Sequence, residues 1–206
     1  METRNFDQEA AAWDTPPRIS LARDIAAAVL QRIDPKPNMD VLDFGCGTGL
    51  VSLLVAPFVR TITALDSSQG MLDVLGEKAR LSGIVNLEIV KADLTKGAEL
   101  KGVFDCVLSS MTLHHVQDVA RLFSQFKRVL RPGGMIAIAD LDEEDGSFHT
   151  DKTGVFHYGF KYESLTVVLR DVGFGEICFS PAARVIRPSG NGAERGYGIF
   201  LVTAKA

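Results

Sequence analysis

The stretch VLDFGCGTGL at residues 41–50 combines a short apolar run, an acid and three glycines. The run is typical of a buried β-strand, and the residues after it are typical of a helix start. Glycine lets the backbone turn tightly and approach a ligand closely, because it has no Cβ. Open α/β sheets bind ligands at the carboxyl ends of their strands. This stretch therefore predicts a ligand-binding corner in an α/β fold.

Strand-like and helix-like segments alternate along the chain, which is typical of an α/β fold with a largely parallel sheet. The predicted strands cover 39–44, 61–65, 87–90, 104–109 and 135–141, and the predicted helices cover 18–33, 50–58, 69–81, 116–130 and 162–171. Two later apolar runs, 177–180 and 199–204, predict an antiparallel pair at the sheet edge. Because no repeat or linker-like composition interrupts this pattern, we expect a single domain over residues 1–206.

The composition is that of a soluble globular protein, since 46% of the 206 residues are hydrophobic and 23% are charged. The net charge is −4 and the basic residues are scattered, which argues against a nucleic-acid partner. The three cysteines are far apart and form no CxxC pair, which favours a reducing compartment and argues against a metal site. The polar N-terminus and the lack of a long apolar run predict a cytoplasmic protein without a membrane span.

The spacing of the glycines distinguishes two classes of nucleotide ligand. The loop has the pattern GxGxG, and Leu50 stands where the dinucleotide-binding fingerprint GxGxxG has its third glycine. Asp43 precedes the first glycine by two residues, where it would repel a pyrophosphate but suits a cationic ammonium group. The loop therefore favours a nucleoside that carries an amino acid over a nicotinamide dinucleotide.

Two further acids end the next predicted strands. Asp66 follows the first loop glycine by 66 − 45 = 21 residues, and a carboxylate there can accept both hydroxyls of a ribose. Asp93 ends the third predicted strand, where it can accept from the exocyclic amine of a base. The alternative is that each acid caps a turn at a strand end.

Five segments, in this order, resemble motifs of the class I S-adenosylmethionine-dependent methyltransferases that act on small molecules. They are VLDFGCGTG at 41–49, ITALDSSQGML at 62–72, KADL at 91–94, FDCVLSSMTLHHV at 104–116 and LRPGGMIAIADL at 130–141. The resemblance implies a Rossmann-like three-layer α/β sandwich, with a mostly parallel seven-stranded sheet and a C-terminal antiparallel hairpin. It also implies S-adenosylmethionine as methyl donor, S-adenosylhomocysteine as product and a small-molecule acceptor.

The resemblance also implies roles for individual residues. Asp43 and the glycine loop would hold the methionine moiety, Asp66 the ribose hydroxyls and Asp93 the adenine amino group. Met71 would pack on the adenine ring, although a methionine at helical spacing is as often a core residue. The other implied cofactor contacts lie in the loop and just after strand ends: Gly45, Cys46, Gly47, Gly49, Ser67, Ala92, Leu94, Ser109 and Ser110.

His114 and His115 follow the fourth predicted strand and are the candidate catalytic residues. An unperturbed histidine can accept a proton near neutral pH, which an acceptor hydroxyl would require. The alternative is that at least one of the two braces the loop.

Two irregular segments are expected to form the acceptor pocket. Residues 1–17 carry Trp13 and are proposed as a lid over the cofactor, and residues 142–161 carry His149, His157 and Tyr158 as candidate substrate contacts. No metal site is predicted, because His149 and His157 lack the spacing of a ligand pair with a carboxylate.

Two rival functions remain open from the sequence. A catalytically silent protein that binds the cofactor and acts as a regulator would need the same loop and acids. A nicotinamide-dependent oxidoreductase is disfavoured by Leu50 and Asp43. The sequence SSMT at 109–112 also lacks the Asn-Pro-Pro-Tyr run of the methyltransferases that modify DNA bases or glutamine.

Overall fold

The computed structural model describes residues 5–94, 98–188 and 194–206. Within these ranges seven strands form one sheet in the order β3-β2-β1-β4-β5-β7-β6. The strands are β1 (Asp40–Phe44), β2 (Thr61–Asp66), β3 (Leu87–Lys91), β4 (Phe104–Ser110), β5 (Leu130–Leu141), β6 (Gly175–Pro188) and β7 (Glu194–Lys205). β1 to β5 are parallel, and β7 pairs antiparallel with both β5 and β6. The predicted fold class and edge hairpin are confirmed.

Helices cover both faces of this sheet. They are α1 (Phe6–Glu9), α2 (Pro16–Ile33), α3 (Ser52–Val55), α4 (Gln69–Leu81), α5 (Val119–Val129) and α6 (Tyr162–Val172). One apolar core lies under α5 and α6 and contains Phe123 and Phe126, and a second lies under α2 and α3. The predicted three layers are thus present, and no helix in the described part of the chain is both long and apolar enough to cross a membrane.

Several predicted boundaries differ from the structure. The helix expected over 116–130 begins at Val119, because Asp118 caps it by accepting a hydrogen bond from the Arg121 backbone N–H at 2.9 Å. The preceding residues, Leu113–His115, form a separate 3₁₀ turn. The expected helix over 50–58 is a single α-turn followed by a 3₁₀ turn at Ala56–Phe58. β6 is much longer than the predicted 177–180, because its backbone stays paired with β7 across a register shift near Pro181.

An ion-pair network holds the amino ends of the central strands together. Arg131 lies 2.9 Å from the Asp40 carboxylate and 2.7 Å from that of Asp105, and Arg60 also bonds Asp40. The hydrogen bond from Arg60 is the largest reason why the pKa of Asp40 is lowered. This network links β1, β4 and β5 at the edge of the sheet opposite the strand ends that carry the glycine loop.

Candidate active site

A cavity of about 1070 Å³ lies at the carboxyl edge of the parallel strands. It is large for a single drug-sized ligand, since such sites usually measure roughly 300–1000 Å³. Its walls come from the N-terminal segment, the glycine loop and the carboxyl ends of β2 and β4. The residues that follow β3 and residues 148–156 also line it. The segments that the sequence marked separately therefore share one space.

The glycine loop turns sharply where β1 ends. The backbone N–H groups of Gly45 and Cys46 both donate to the Leu65 carbonyl oxygen, at 2.8 and 3.1 Å. Gly45 and Gly47 have positive φ angles of 69° and 53°. A Cβ on Gly47 would meet nothing within 4 Å, so this face of the loop is open. Gly45, Cys46 and Gly47 line the cavity as predicted.

Gly49 has a different role from the predicted one. It does not line the cavity, and a Cβ on Gly49 would lie 2.1 Å from Leu75 Cδ1 on α4. Its φ of 76° also requires a left-handed backbone. Gly49 therefore permits close packing of α4 against the loop.

Asp43 lies at the base of the cavity and is 2% exposed. Its Oδ2 accepts a hydrogen bond of 2.5 Å from Ser52 Oγ. Burial raises the pKa of Asp43 to about 7, the Ser52 hydrogen bond opposes this shift, and the nearby Asp66 charge adds to it. A cation beside Asp43 would stabilise the ionised carboxylate, since opposite charge favours the charged form.

Asp66 spans the opening of the loop. Its Oδ2 accepts from the Gly47 N–H at 2.8 Å and its Oδ1 from the Ser68 N–H at 2.9 Å. Burial raises the pKa of Asp66, while these backbone hydrogen bonds oppose the shift. Each carboxylate oxygen has two lone pairs, so both oxygens can also accept a ligand hydroxyl.

The residues predicted around the adenine form one end of the cavity. Ser67, Met71, Ala92, Asp93 and Leu94 all line it. Met71 is also 2% exposed, so it belongs to the core and to the cavity wall at once.

Of the two serines at the end of β4, only Ser110 lines the cavity. Ser109 points to the other side of the strand, where its Oγ donates to the Phe44 carbonyl oxygen at 2.9 Å. Because successive side chains of a strand face opposite sides, the geometry favours Ser110 over Ser109 as the cofactor contact.

Three histidines form another part of the cavity wall, and we call His114, His115 and His149 the histidine wall. All three line the cavity, and one ring nitrogen of each lies within 4.8 Å of the others. The ring centroids of His114 and His115 are 4.3 Å apart, and those of His114 and His149 are 4.8 Å apart. The sequence did not indicate this cluster, because the third ring comes from the distant loop after β5.

Asp140 holds the first ring of this wall and was not singled out from the sequence. Its Oδ1 lies 2.7 Å from His114 Nδ1, and its Oδ2 accepts from the His114 backbone N–H at 3.3 Å. Burial by itself would raise the pKa of Asp140, but the His114 charge and these hydrogen bonds outweigh it and lower the pKa. The only sequence signal was an acid near the end of an otherwise apolar strand.

His157 and Tyr158 lie outside the residues that line the cavity. His157 Nε2 lies 2.9 Å from the Val116 carbonyl oxygen, and Lys152 Nζ lies 5.0 Å from the centre of the exposed Tyr158 ring. The loop folds so that its earlier part, with His149, faces the cavity, and the geometry gives no support to the predicted substrate contacts at these two residues.

The N-terminal segment closes one side of the cavity. Asp7 Oδ1 accepts from Ser68 Oγ at 2.6 Å and from the Gly70 N–H at 2.8 Å. The Phe6 ring contacts both Trp13 and His115, at centroid distances of 5.8 and 5.5 Å. The segment thus touches the cofactor end and the histidine wall, while residues 1–4 of the predicted lid lie outside the described residues.

Side chains from α2 complete the cavity and were predicted only as helix core. They are Arg18, Leu21, Ala22 and Ile25. Their periodicity gave no signal, since an apolar stripe that faces a cavity has the same spacing as one that faces a core.

Residues 42–138 match the model of the methyltransferase domain family. The match spans β1 to β5 and contains the glycine loop, Asp66, Asp93 and the histidines after β4.

Over residues 42–138 this chain carries the methyltransferase domain typical of the class I S-adenosylmethionine-dependent methyltransferases.

Curated relatives of this chain share about a third of its residues over the aligned part. An uncharacterised methyltransferase of Schizosaccharomyces pombe is 33% identical over 156 residues, which cover 69% of this chain and 55% of the relative. A ubiquinone biosynthesis O-methyltransferase of Rhizobium leguminosarum is 34% identical over 159 residues, covering 68% of this chain and 62% of the relative. The chain thus spans little more than half of the length of these relatives.

Solved structures show the same fold. A SAM-dependent methyltransferase from Aquifex aeolicus superposes with a TM-score of 0.70 at 20% identity, over 97% of both chains. A Haemonchus contortus phosphoethanolamine N-methyltransferase 2 in complex with S-adenosyl-L-methionine gives a TM-score of 0.71 at 19% identity, over 87% of this chain and 51% of that one.

The cofactor of this methyltransferase family is S-adenosylmethionine, and the cavity fits it. The open face of Gly47 lets the backbone approach a ligand, and the buried Asp43 suits a cationic group. Asp66 and Asp93 supply acceptors further along the same wall. The nicotinamide alternative has no support in these comparisons.

Proposed function

We propose that this protein transfers the methyl group of S-adenosylmethionine to a small molecule that binds between the glycine loop and the histidine wall. The observation that carries the proposal is that both groups line one cavity of about 1070 Å³. Such a volume can hold a nucleoside cofactor and a second small ligand together.

The cofactor roles follow from the chemistry of the lining residues. The α-ammonium group would lie near Asp43 and offset the cost of its buried charge, and the ribose hydroxyls would donate to Asp66. Asp93 would accept from the adenine amino group, with Met71 against the ring. The backbone at Gly45, Cys46 and Gly47, together with Ser67, Ala92, Leu94 and Ser110, supplies the remaining contacts.

The bound cofactor supplies a methyl group on a positively charged sulfur, which is a good leaving group. The protein must then hold the acceptor atom, the methyl carbon and the sulfur in line. Positioning of this kind can lower a barrier by about 7–11 kcal/mol in favourable cases.

The histidine wall and Trp13 are proposed to face the acceptor. Since His114 Nδ1 lies 2.7 Å from a carboxylate oxygen and His115 Nδ1 lies 2.7 Å from the Gly154 carbonyl oxygen, each Nδ1 donates its proton. In a neutral ring the lone pair is then on Nε2. Such nitrogens can accept a proton from an acceptor hydroxyl or bind a cation.

An oxygen acceptor agrees with the names of some relatives. The Rhizobium relative is named as an O-methyltransferase, as is a nocamycin O-methyltransferase of Saccharothrix syringae that is 29% identical over 136 residues. We therefore expect the acceptor to be a small molecule with a hydroxyl group.

The test is turnover of labelled S-adenosylmethionine with a panel of small hydroxyl compounds and fractionated cell metabolites. We expect one acceptor fraction to give S-adenosylhomocysteine well above the rate without acceptor. A protein that binds S-adenosylhomocysteine but never turns over with any fraction would instead act as a silent binding protein.

A further inference from the structure

The histidine wall has the donor set of a metal centre that keeps one position open. Three imidazole nitrogens plus one exchangeable position make up the zinc site of carbonic anhydrase, where three protein ligands leave the fourth place to water or substrate. Here the three rings come from the 3₁₀ turn after β4 and from the loop after β5. They line a cavity of about 1070 Å³, so a fourth ligand has room to bind.

The hydrogen bonds around the rings are those that orient histidine ligands. Metal-bound histidines usually donate the proton of their other ring nitrogen to a carboxylate or a carbonyl oxygen. His114 Nδ1 has the Asp140 carboxylate at 2.7 Å, and His115 Nδ1 has the Gly154 carbonyl oxygen at 2.7 Å. In a neutral ring, both contacts place the lone pair on Nε2, the nitrogen that would bind a cation. Asp140 is fully buried, so its charge also favours a cation nearby.

The distances require only a small closing movement. Two nitrogens bound to one tetrahedral zinc ion at about 2.0–2.1 Å lie about 3.3 Å apart. The ring nitrogens here lie within 4.8 Å of one another. His114 is buried and held by Asp140, so the closing movement would come from small shifts of the partly buried His115 and His149.

The backbone already fixes both parts of the cluster. The His114 carbonyl oxygen accepts from the N–H groups of Phe156 and His157, at 2.9 and 3.2 Å, which joins the loop to the turn. The Phe148 ring packs on Tyr197 of β7 and beneath Arg187 of β6. The position of His149 is therefore set by the edge hairpin and not by the loop alone.

We propose that His114, His115 and His149 bind one divalent transition-metal ion, zinc being the best match to three imidazoles, and that the open position takes the hydroxyl oxygen of the acceptor. This inference rests on the proposed function. Binding to the ion lowers the pKa of the hydroxyl, and its proton leaves to solvent. The oxygen then forms the new O–CH₃ bond as the S–CH₃ bond breaks, and the bonding electron pair stays on sulfur.

The experiment measures metal binding apart from methyl transfer. Chelator-treated protein is titrated with Zn²⁺ by calorimetry and with Co²⁺ by visible absorption, which reports tetrahedral nitrogen coordination. We expect one ion per chain for the wild type. Asp140→Asn should weaken metal binding by about 10–100-fold, because it removes the carboxylate that holds a ligand histidine. His149→Asn should weaken metal binding more, because it removes a ligand.

The fourth histidine of the chain provides the matched control. His157 lies on the same loop but outside the cavity, so His157→Asn should bind the ion as the wild type does. Equal metal affinity in the wild type and in His149→Asn would overturn the metal site. So would wild-type turnover at full rate after removal of all metal, in which case the wall works by accepting protons.

The same preparations separate this inference from the proposed function. Affinity for S-adenosylhomocysteine is measured on the chelator-treated wild type and on His149→Asn, and we expect both to bind it, since the acids and glycines proposed to hold it are separate from the three histidines. If metal-free protein binds S-adenosylhomocysteine and still methylates the acceptor, only the metal site is contradicted. If the protein binds the ion but neither binds S-adenosylhomocysteine nor turns over S-adenosylmethionine, the proposed function is contradicted.

Discussion

At the scale of single residues, the acids at strand ends carry most of the expected affinity for the cofactor. Asp66 is the clearest case, because both of its oxygens already accept backbone N–H groups that shape the loop. Hydrogen bonds to a charged group contribute about 1.5–3 kcal/mol each.

Asp66→Ala should therefore weaken S-adenosylhomocysteine binding by at least about tenfold, since about 1.4 kcal/mol corresponds to a factor of ten. Isothermal calorimetry measures the change, and circular dichroism checks the fold. Asp73→Ala, an exposed acid on α4, is the control and should bind as the wild type does. Unchanged affinity in Asp66→Ala would mean that the ribose does not lie there.

Asp43 makes cofactor binding depend on pH. Because the pKa of Asp43 is about 7, its carboxyl group is protonated at lower pH and must lose that proton before it can pair with an ammonium group. Affinity for S-adenosylhomocysteine should thus fall by up to about tenfold for each pH unit below 7, and Asp43→Asn should remove most of this slope. Calorimetry from pH 5.5 to 8 measures it, and a flat wild-type profile would contradict the pairing.

The folding stability of the ligand-free protein depends on pH in the opposite direction to the affinity for the cofactor. The pKa of Asp43 is higher in the folded protein than its ordinary value of 3.8. The folded state therefore holds the proton more tightly than the unfolded chain, and the stability that this gives is lost as the pH rises from about 4 to 7.

The sequence predicted which strand ends matter but not which neighbour faces the ligand. Ser109 and Ser110 are identical in type, and only the direction of β4 in the sheet decides that Ser110 lines the cavity. Gly49 fits the loop pattern as well as Gly47 does, yet its lack of a Cβ makes room for Leu75 of α4. Such choices depend on packing between distant segments.

At the scale of elements, the N-terminal segment is the part that can act as a lid. Besides the Asp7 contacts, Asp14 accepts from Thr48 Oγ1 at 2.5 Å and lies 2.6 Å from Lys78 Nζ. These bonds join the segment to the glycine loop and to α4, while its only buried apolar residue among those described before α2 is Ala10. The segment therefore adds more contacts to the cavity than to the core.

Deleting residues 1–14, which leaves Thr15 and the start of α2 in place, should weaken S-adenosylhomocysteine binding by at least tenfold with only a small drop in melting temperature. Calorimetry and thermal unfolding give the two values. Asp7→Ala, which removes the bonds to Ser68 and Gly70, should change affinity in the same direction. A large loss of stability together with a proportionate loss of affinity would instead make the segment part of the core.

The loop after β5 shows why the acceptor side was harder to predict. The sequence placed His149, His157 and Tyr158 together in one polar stretch, and the chain direction within that loop separates them. Its course is fixed by hydrogen bonds such as that between Ser147 Oγ and Tyr197 OH, at 2.7 Å, whose partners lie far apart in sequence. No local pattern encodes such contacts.

At the scale of the whole molecule, the strand order and layers followed from the alternation of apolar segments and from the resemblance to a known family. The sheet contains the predicted strands, and the differences are in their ends. β6 was predicted at less than half its length because its residues do not alternate clearly between apolar and polar.

A ligand that binds only the folded protein must stabilise it. S-adenosylhomocysteine at about 100 times its Kd should add about 2.7 kcal/mol, which corresponds to a rise in Tm of roughly 5–11 °C for a chain of this size. Differential scanning fluorimetry measures the shift. NAD at the same concentration should give none, and an equal shift with NAD would contradict a cavity selective for the sulfur nucleoside.

The two sides of the cavity come from different halves of the chain. The glycine loop, Asp66 and Asp93 precede residue 95, whereas the histidine wall follows residue 110 and is supported by the edge hairpin. Mutations in the second half can thus alter which compound is methylated while recognition of the donor persists. An engineer seeking a new product would randomise residues 150–156 and leave His149, the glycine loop, Asp66 and Asp93 untouched.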